Sequence, residues 1–503
     1  MKLLIVTETA SIHAARWVNQ LKDTGWDVHV FQALATGGAV SEEFRFGNLH
    51  VPMIAKVTGN AKCFTTLLPE KYYWLVEHEK SYPGLIQYLH EKYLLKLLNE
   101  WQPDIIHSLG LNINWNNICL PVLRVLNNNE LKKRPRWLYS TWGTDLAFFA
   151  KTSKENYADV EDVLKNVDYL VTECERDFRL SKEMGFQGKF LGYFTGFGGI
   201  NTELLDKFDK APKASTRKTI LLKGRSIEDG DPVGRAMTAI KAFKLCEDLL
   251  KDYRIVIAFA TSSINMNNEV QLLRATTDLK IQILSYLPYD MLMDIYASAR
   301  LYISLTVNDG IPSSILEAMS AGAFPIHSDL EPIREIITDG KSGLLVDPED
   351  VMAVADALRI ALTNDHLVDN AESINKKMIQ DKFSESVLKC RVIKMYESVI
   401  MEDKLEQYSA VDNITSMKNI HCNMPLFEAM NKAVAINNER VYGINSSAMG
   451  INNEKLYDAI SSALDINNKK LYDLVSYVMK INSAKLFWLL RLLFKVLKKL
   501  KHL

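Results

Sequence analysis

Short apolar runs alternate with longer helical patterns through residues 1–200, and the alternation restarts at residue 219 and continues to about 385. In the first half KLLIV, WDVHVFQ, PDIIHS, RWLYSTW and VDYLVTE read as strands, with helical patterns at 12–21 and in NICLPVLRVL. In the second half TILLKG, RIVIAFA, IQILSYL, LYISLT, FPIHS and GLLV are the strands. Strands separated by helices pair in parallel, and a parallel sheet needs helices on both faces. The expected fold is therefore α/β: two Rossmann-like lobes with a cleft between them, at 1–204 and 218–385, plus an α-helical C-terminal extension. The stretch joining the lobes, NTELLDKFDKAPKASTRK, is polar and carries a proline, as a linker does. Residues 386–404 read as a helix returning towards the first lobe.

Composition narrows the class of function. Sixty Lys and Arg stand against 61 Asp and Glu, a formal charge of −1, which argues against a general nucleic-acid binder while leaving room for a local basic patch. Nucleic acid is not an expected partner. The six cysteines form no Cys-x-x-Cys pair and no disulfide framework. The apolar run in MKLLIVTETA is too short for a signal-peptide core, and no stretch reaches 18 uncharged apolar residues. A cytoplasmic protein is expected.

Beyond residue 405 an Ile-Asn pair recurs at 436, 451, 466 and 481, a period of 15. Spread over four turns this is about 3.75 residues per turn, which in one continuous helix favours a right-handed supercoil. A row of short helices, each capped by Asn, is the other reading. Either way residues 405–483 are expected to stack or self-associate, giving a homo-oligomer. The last segment, 484–503, carries Lys485, Arg491, Lys495, Lys498, Lys499 and Lys501 with no acid, and Leu486, Leu489, Leu490, Leu493, Leu497 and Leu500 on one helical face. Such a cationic amphipathic helix suits an anionic membrane surface; docking on protein is the alternative.

The chemistry is concentrated in NDGIPSSILEAMSAGAFPI, residues 308–326. It leaves the strand LYISLT, turns through Asp309-Gly310-Ile311-Pro312 and enters a helix, so backbone amides are exposed at the turn. Asp309 and Glu317 are separated by seven residues, which lets both carboxylates face the cleft. Asp309 as a simple helix cap, with Glu317 at the surface, is the competing reading.

These residues resemble glycosyltransferase family 4, of the GT-B fold, in which two acids with this spacing hold a sugar nucleotide. LPYDMLMDIYASARLYISLT before the acids is similar to that family, as is AFPIHSDLEPIREIITDGKSGLLVDPED after them. SIHAARWVNQLKDTGWDVHVFQ, PDIIHS and STWGTDL extend the likeness into the first lobe, so it covers about residues 1–400. The resemblance implies a retaining transfer from a nucleoside diphosphate sugar to a glycan or lipid-linked acceptor, without a metal or cofactor, the leaving phosphate accepting the acceptor's proton. The ten histidines show no metal-ligand spacing, and no dedicated metal site is expected.

It also implies roles. Glu317 would accept hydrogen bonds from ribose hydroxyls; Asp309, with the amides of Gly310 and Ile311, would contact the donor sugar. The family usually has Glu where this chain has Asp309. Arg225 stands where the family places an Arg beside the diphosphate, but Gly230 stands where it places a Lys, leaving Lys223 and Arg235 as the cations available. His13, at the start of the first helix, would sit at the cleft near phosphates or acceptor. Trp142 replaces a family histidine, which shifts the orienting of the acceptor to Asp145; Glu173 also ends a strand facing the cleft. The expected setting is cell-surface polysaccharide synthesis, peripheral on the inner face of the membrane. A sugar-nucleotide epimerase, a phosphorylase and a non-catalytic scaffold assembled through the repeats are the alternatives.

Overall fold

The computed structural model describes residues 1–8, 11–22, 24–32, 46–47, 56–57, 83–111, 118–259, 264–284 and 287–411. The cationic segment 484–503 and all but the first few residues of 405–483 lie outside the described residues, and the repeat and membrane expectations with them.

In the first lobe the strands are β1 (Lys2–Thr7), β2 (Asp27–Gln32), β5 (Ile105–Leu109), β6 (Arg136–Ser140), β7 (Tyr169–Thr172) and β8 (Lys189–Tyr193), with a two-residue antiparallel pair, β3 (Phe46–Gly47) and β4 (Lys56–Val57). The six long ones pair in parallel in the order β2-β1-β5-β6-β7-β8. The second lobe repeats the plan with β9 (Thr219–Lys223), β10 (Arg254–Ala258), β11 (Lys280–Leu284), β12 (Ala299–Ser304), β13 (Phe324–Ser328) and β14 (Leu344–Val346), ordered β11-β10-β9-β12-β13-β14. Central strands are apolar without alternation because both faces are covered: every residue of β5 and β12 is buried. The one long strand missing from the sequence reading is β8, KFLGY. It lies at the sheet edge, with both end residues exposed and no continuous apolar run.

Strand order reverses between β1 and β5 in one lobe and between β9 and β12 in the other. Loops leaving neighbouring strands part there in opposite directions, which opens a crevice at the carboxyl ends. Lys223 ends β9 and Asp309 follows β12, so the two central strands deliver a cation and an acid to one place.

The chain crosses between lobes twice, and the crossings are tied together. Ile200 donates its N–H to the Phe383 carbonyl at 3.1 Å and accepts from the Glu385 N–H at 2.9 Å. Gly199, at φ +94°, packs so close that a Cβ would reach the Glu385 backbone at 2.5 Å. After this second crossing the helix Glu385–Val411 packs against the first lobe. Val392, Met395, Tyr396 and Val399 join Leu3, Ile5, Trp17 and Val18 in one core. The Tyr396 hydroxyl accepts from Trp17 Nε1 at 2.8 Å and lies 2.5 Å from His107 Nδ1. Burial lowers the His107 pKa to about 3, so the ring is neutral and its Nδ1 can accept a hydrogen bond from the tyrosine hydroxyl. Burying each of these apolar side chains contributes about 1.5–3 kcal/mol, enough to hold the returning helix in place.

Candidate functional site

A cleft of about 970 Å³ lies between the lobes. The second lobe contributes Lys223, Arg225, Asp309, Ile311 and Glu317, and the first contributes His13, Arg16, Trp142 and Glu173. Lys223 Nζ is 3.6 Å from Asp309 Oδ2. Burial pushes the Asp309 carboxyl up, but Lys223 and Arg225 outweigh it and hold the pKa below the ordinary value. Burial in turn lowers the Lys223 pKa against the pull of Asp309. The pair is a buried cation and a buried anion, each keeping the other ionised.

The acidic turn is braced internally and from across the cleft. The Gly310 N–H donates to Asp309 Oδ1 at 3.0 Å. Without a ligand that amide is turned to the neighbouring carboxylate; Ile311 is buried and lines the cleft. Arg176, in the helix Glu175–Glu183 of the first lobe, donates to Asn308 Oδ1 at 3.0 Å, to the Asp309 carbonyl at 2.9 Å and to the Gly143 carbonyl at 2.6 Å. Behind it stands Asp177, at 2.8 Å and wholly buried. Gly143 and Gly310 meet face to face: a methyl on Gly143 would land on the Gly310 backbone, and one on Gly310 would land on Glu173 Oε2. Both positions need glycine for closeness, not for backbone conformation.

Glu317 lies on the helix Ser313–Ser320, which is buried on all sides from Ile315 onward, and its side chain reaches the cleft. There Arg16 Nη1 meets Glu317 Oε1 at 3.1 Å, and the Arg16 guanidinium sits over the Tyr289 ring at 5.3 Å. His13, one turn earlier, places Nδ1 3.4 Å from Ser313 Oγ. Burial, then the nearby Arg16, lowers the His13 pKa to about 4, so it is neutral near pH 7.

Two expected site residues are placed elsewhere. Asp145 is 2% exposed and does not line the cleft. Its Oδ2 accepts from the Leu111 N–H at 2.9 Å, the Trp142 N–H at 2.8 Å and the Tyr139 hydroxyl at 3.0 Å. It therefore shapes the turn that carries Trp142 and Gly143 and has no path to an acceptor, correcting the role expected for it. Arg235 pairs with Glu349 at 2.9 Å, outside the cleft lining, so Lys223 and not Arg235 joins Arg225 there. Arg225 is ion-paired with Asp231. Among the described residues no group of three or more His, Cys, Asp or Glu side chains is placed to hold a metal ion.

Burial raises the Asp145 pKa from 3.8 to about 7, against the lowering effect of its three hydrogen bonds. A raised carboxyl pKa means the folded chain holds the proton more tightly than the unfolded one. Its stabilising effect is then present below the unfolded value and lost as pH rises through about 7. Asp145→Asn keeps an oxygen for all three donors and cannot ionise. The difference in stability between variant and wild type, from urea unfolding, is expected to grow in the variant's favour by a few kcal/mol between pH 4 and 7. A difference independent of pH would show that Asp145 is ionised throughout.

The arrangement matches known proteins in two ways. The E. coli trehalose-6-phosphate structure bound with UDP-2-fluoro glucose superposes with a TM-score of 0.56 at 15% identity, over 78% of this chain and 99% of that one. The fold is GT-B. Residues 206–379 match the family described as glycosyl transferases, group 1. That stretch holds Lys223, Arg225, Asp309 and Glu317, whereas His13, Arg16 and Glu173 lie outside it. Phosphatidyl-myo-inositol mannosyltransferase of Mycobacterium leprae is 34% identical over 85 residues, 17% of this chain and 22% of that protein. O-antigen chain mannosyltransferase B of Escherichia coli is 34% identical over 92 residues, 18% and 24% of the two chains. Less than a quarter of the length of these two curated relatives is covered. Together the matches show a GT-B fold whose second lobe is similar to group 1 glycosyl transferases.

Arg16, Arg176 and Phe259 are the cleft or bracing residues that sequence reasoning missed. Arg16 repeats at helical spacing from His13, which was the available signal. Phe259 had none: it follows β10, lines the GT-B cleft, is 39% exposed and has φ +60°. A bulky side chain in the left-handed region costs about 1–2 kcal/mol. Phe259→Gly is expected to raise the midpoint of thermal unfolding by a few degrees. A lowered midpoint would mean that packing of the ring outweighs the backbone cost.

Proposed function

We propose that this chain is a retaining glycosyltransferase of family 4 that moves a sugar from a nucleoside diphosphate sugar to a glycan or lipid-linked acceptor. One observation carries the reading: a cation pair, Lys223 and Arg225, and an acid pair, Asp309 and Glu317, converge in one interlobe cleft at the carboxyl ends of the central strands. A diphosphate needs the first pair and sugar hydroxyls need the second. Charge-assisted bonds of both kinds are short and orienting. Lys223 and Arg225 would hold the diphosphate and stabilise the charge that develops on it as the bond to the anomeric carbon breaks. The acceptor oxygen would bond to that carbon from the same face and pass its proton to the departing phosphate oxygen. Glu317 would turn from Arg16 to the ribose, and Asp309 would face the sugar.

The match to mannosyltransferases and the UDP-sugar complex of a GT-B neighbour support a nucleotide sugar as donor. Cell-surface polysaccharide synthesis, at the inner face of the membrane through 484–503 and as an oligomer through 405–483, completes the proposal. It rests on the one-sided charge and the repeat of those segments. No helix among the described residues is long and apolar enough to cross a membrane.

Calorimetric titration of wild type and Glu317→Ala with GDP, UDP, GDP-mannose and UDP-glucose tests the donor site. One base bound by wild type and lost in the variant is expected; no binding of any of the four would overturn the proposal. With the donor known, the anomeric configuration of the product by NMR decides retention. Co-sedimentation of the full chain, and of the chain lacking 484–503, with vesicles rich in anionic lipid decides the membrane role.

A further inference from the structure

Glu173 follows β7 and lines the cleft half-buried; among the described residues no hydrogen bond or ion pair reaches its carboxyl. A half-exposed carboxyl that lines a cleft and is not committed to a protein partner is available to a polar ligand there. The position of the carboxyl indicates which ligand. Oε2 packs against the Cα of Gly310, the residue after Asp309, and occupies the space a side chain at 310 would need. The second lobe has thus given up a side chain at the acidic turn, and the first lobe has filled the place with a carboxyl.

We propose that Glu173 is a sugar-positioning residue, whose carboxyl hydrogen-bonds a hydroxyl of the donor sugar lying against Asp309. The inference rests on the glycosyl-transfer reading above and adds to it a first-lobe contact to the transferred sugar. Asp309 and Glu173 then grip that sugar from opposite lobes, so it is held only when the lobes meet.

The surroundings decide the carboxyl's charge. The charges acting on it are Arg176 and Asp177 of the helix that follows β7, Asp145 beyond β6, and Asp309 from the second lobe; Lys223 lines the same cleft. Burial, followed by the three aspartates, raises its pKa well above the ordinary glutamate value, and Arg176 only partly opposes them. The uncharged acid can donate as well as accept, and adds no negative charge beside a diphosphate. Above the raised pKa the carboxylate can still accept but no longer donate, and it adds a negative charge beside the diphosphate, so the contact weakens as pH rises.

The experiment compares, by calorimetry, the affinity for a nucleotide sugar with that for its bare nucleoside diphosphate, using GDP-mannose against GDP and UDP-glucose against UDP. Glu173→Ala is expected to weaken the sugar nucleotide about tenfold while leaving the bare diphosphate within about twofold. Glu173→Gln, which keeps the shape and a donor, should stay within about threefold on both. In wild type the preference for the sugar nucleotide, taken relative to Glu173→Gln at each pH so that titration of the bare diphosphate cancels, should fall as pH is raised. An unchanged ratio in Glu173→Ala, or equal loss of both ligands in both variants, overturns the role of Glu173. Failure of wild type to bind any of the four overturns the transfer reading itself. If the alanine variant does not fold, the glutamine variant and the wild-type pH profile still decide the matter.

Discussion

Replacing Arg176 with Leu is expected to destabilise the folded chain by about 3–5 kcal/mol, the cost of stranding a buried charge. Arg176 is 8% exposed and Asp177 not at all. Its guanidinium also satisfies the Gly143 and Asp309 carbonyls and Asn308, which would lose a partner together. Arg176→Lys retains the charge but not the planar fork, and should recover only part of the loss. Adding Asp177→Asn to Arg176→Leu should recover more, because the stranded group is then neutral. Urea unfolding measures all three. A loss below about 1 kcal/mol in Arg176→Leu would mean that the contact between the lobes does not depend on this side chain.

The second large effect is on ligand binding. Lys223→Met is expected to weaken nucleoside diphosphate binding by about 10- to 100-fold, the worth of a charge-assisted contact. It should lower turnover of the donor by about 10²–10³-fold, as loss of one preorganised donor at a developing charge does. It should also act on Asp309. Lys223 is the largest influence opposing burial there, so without it the carboxyl pKa rises and ionisation moves to higher pH. Residual activity of the variant should therefore climb with pH over a range where wild type is level. A flat profile would place Asp309 under the control of Arg225 and not of Lys223.

Much of the fold was legible because it depends on local patterning. Continuous buried runs such as TILL in β9 and ARLYIS in β12 are legible as central strands, and an edge strand such as KFLGY is not. The acids of the site were legible for the same reason: Asp309 and Glu317 belong to one turn and one helix, so their spacing already set their common direction. Asp145 shows the limit. A strand-end carboxylate looks the same in sequence whether it faces a cleft or holds a turn together, and only the positions of the Leu111 and Trp142 amides decide between them.

By itself, then, the sequence determined two parallel α/β lobes, the order of their elements, and an acidic turn at the end of β12. The tertiary structure alone decided which lobe surfaces meet there. Arg16 on Glu317, Arg176 on the Asp309 carbonyl, and Glu173 against Gly310 join residues far apart in the chain; His13 and Ser313 are separated by 300 positions. Strand and helix periodicity arises from neighbours within a few residues. Contacts between lobes arise from how two finished surfaces fit, through shape, desolvation and charge that no local pattern encodes.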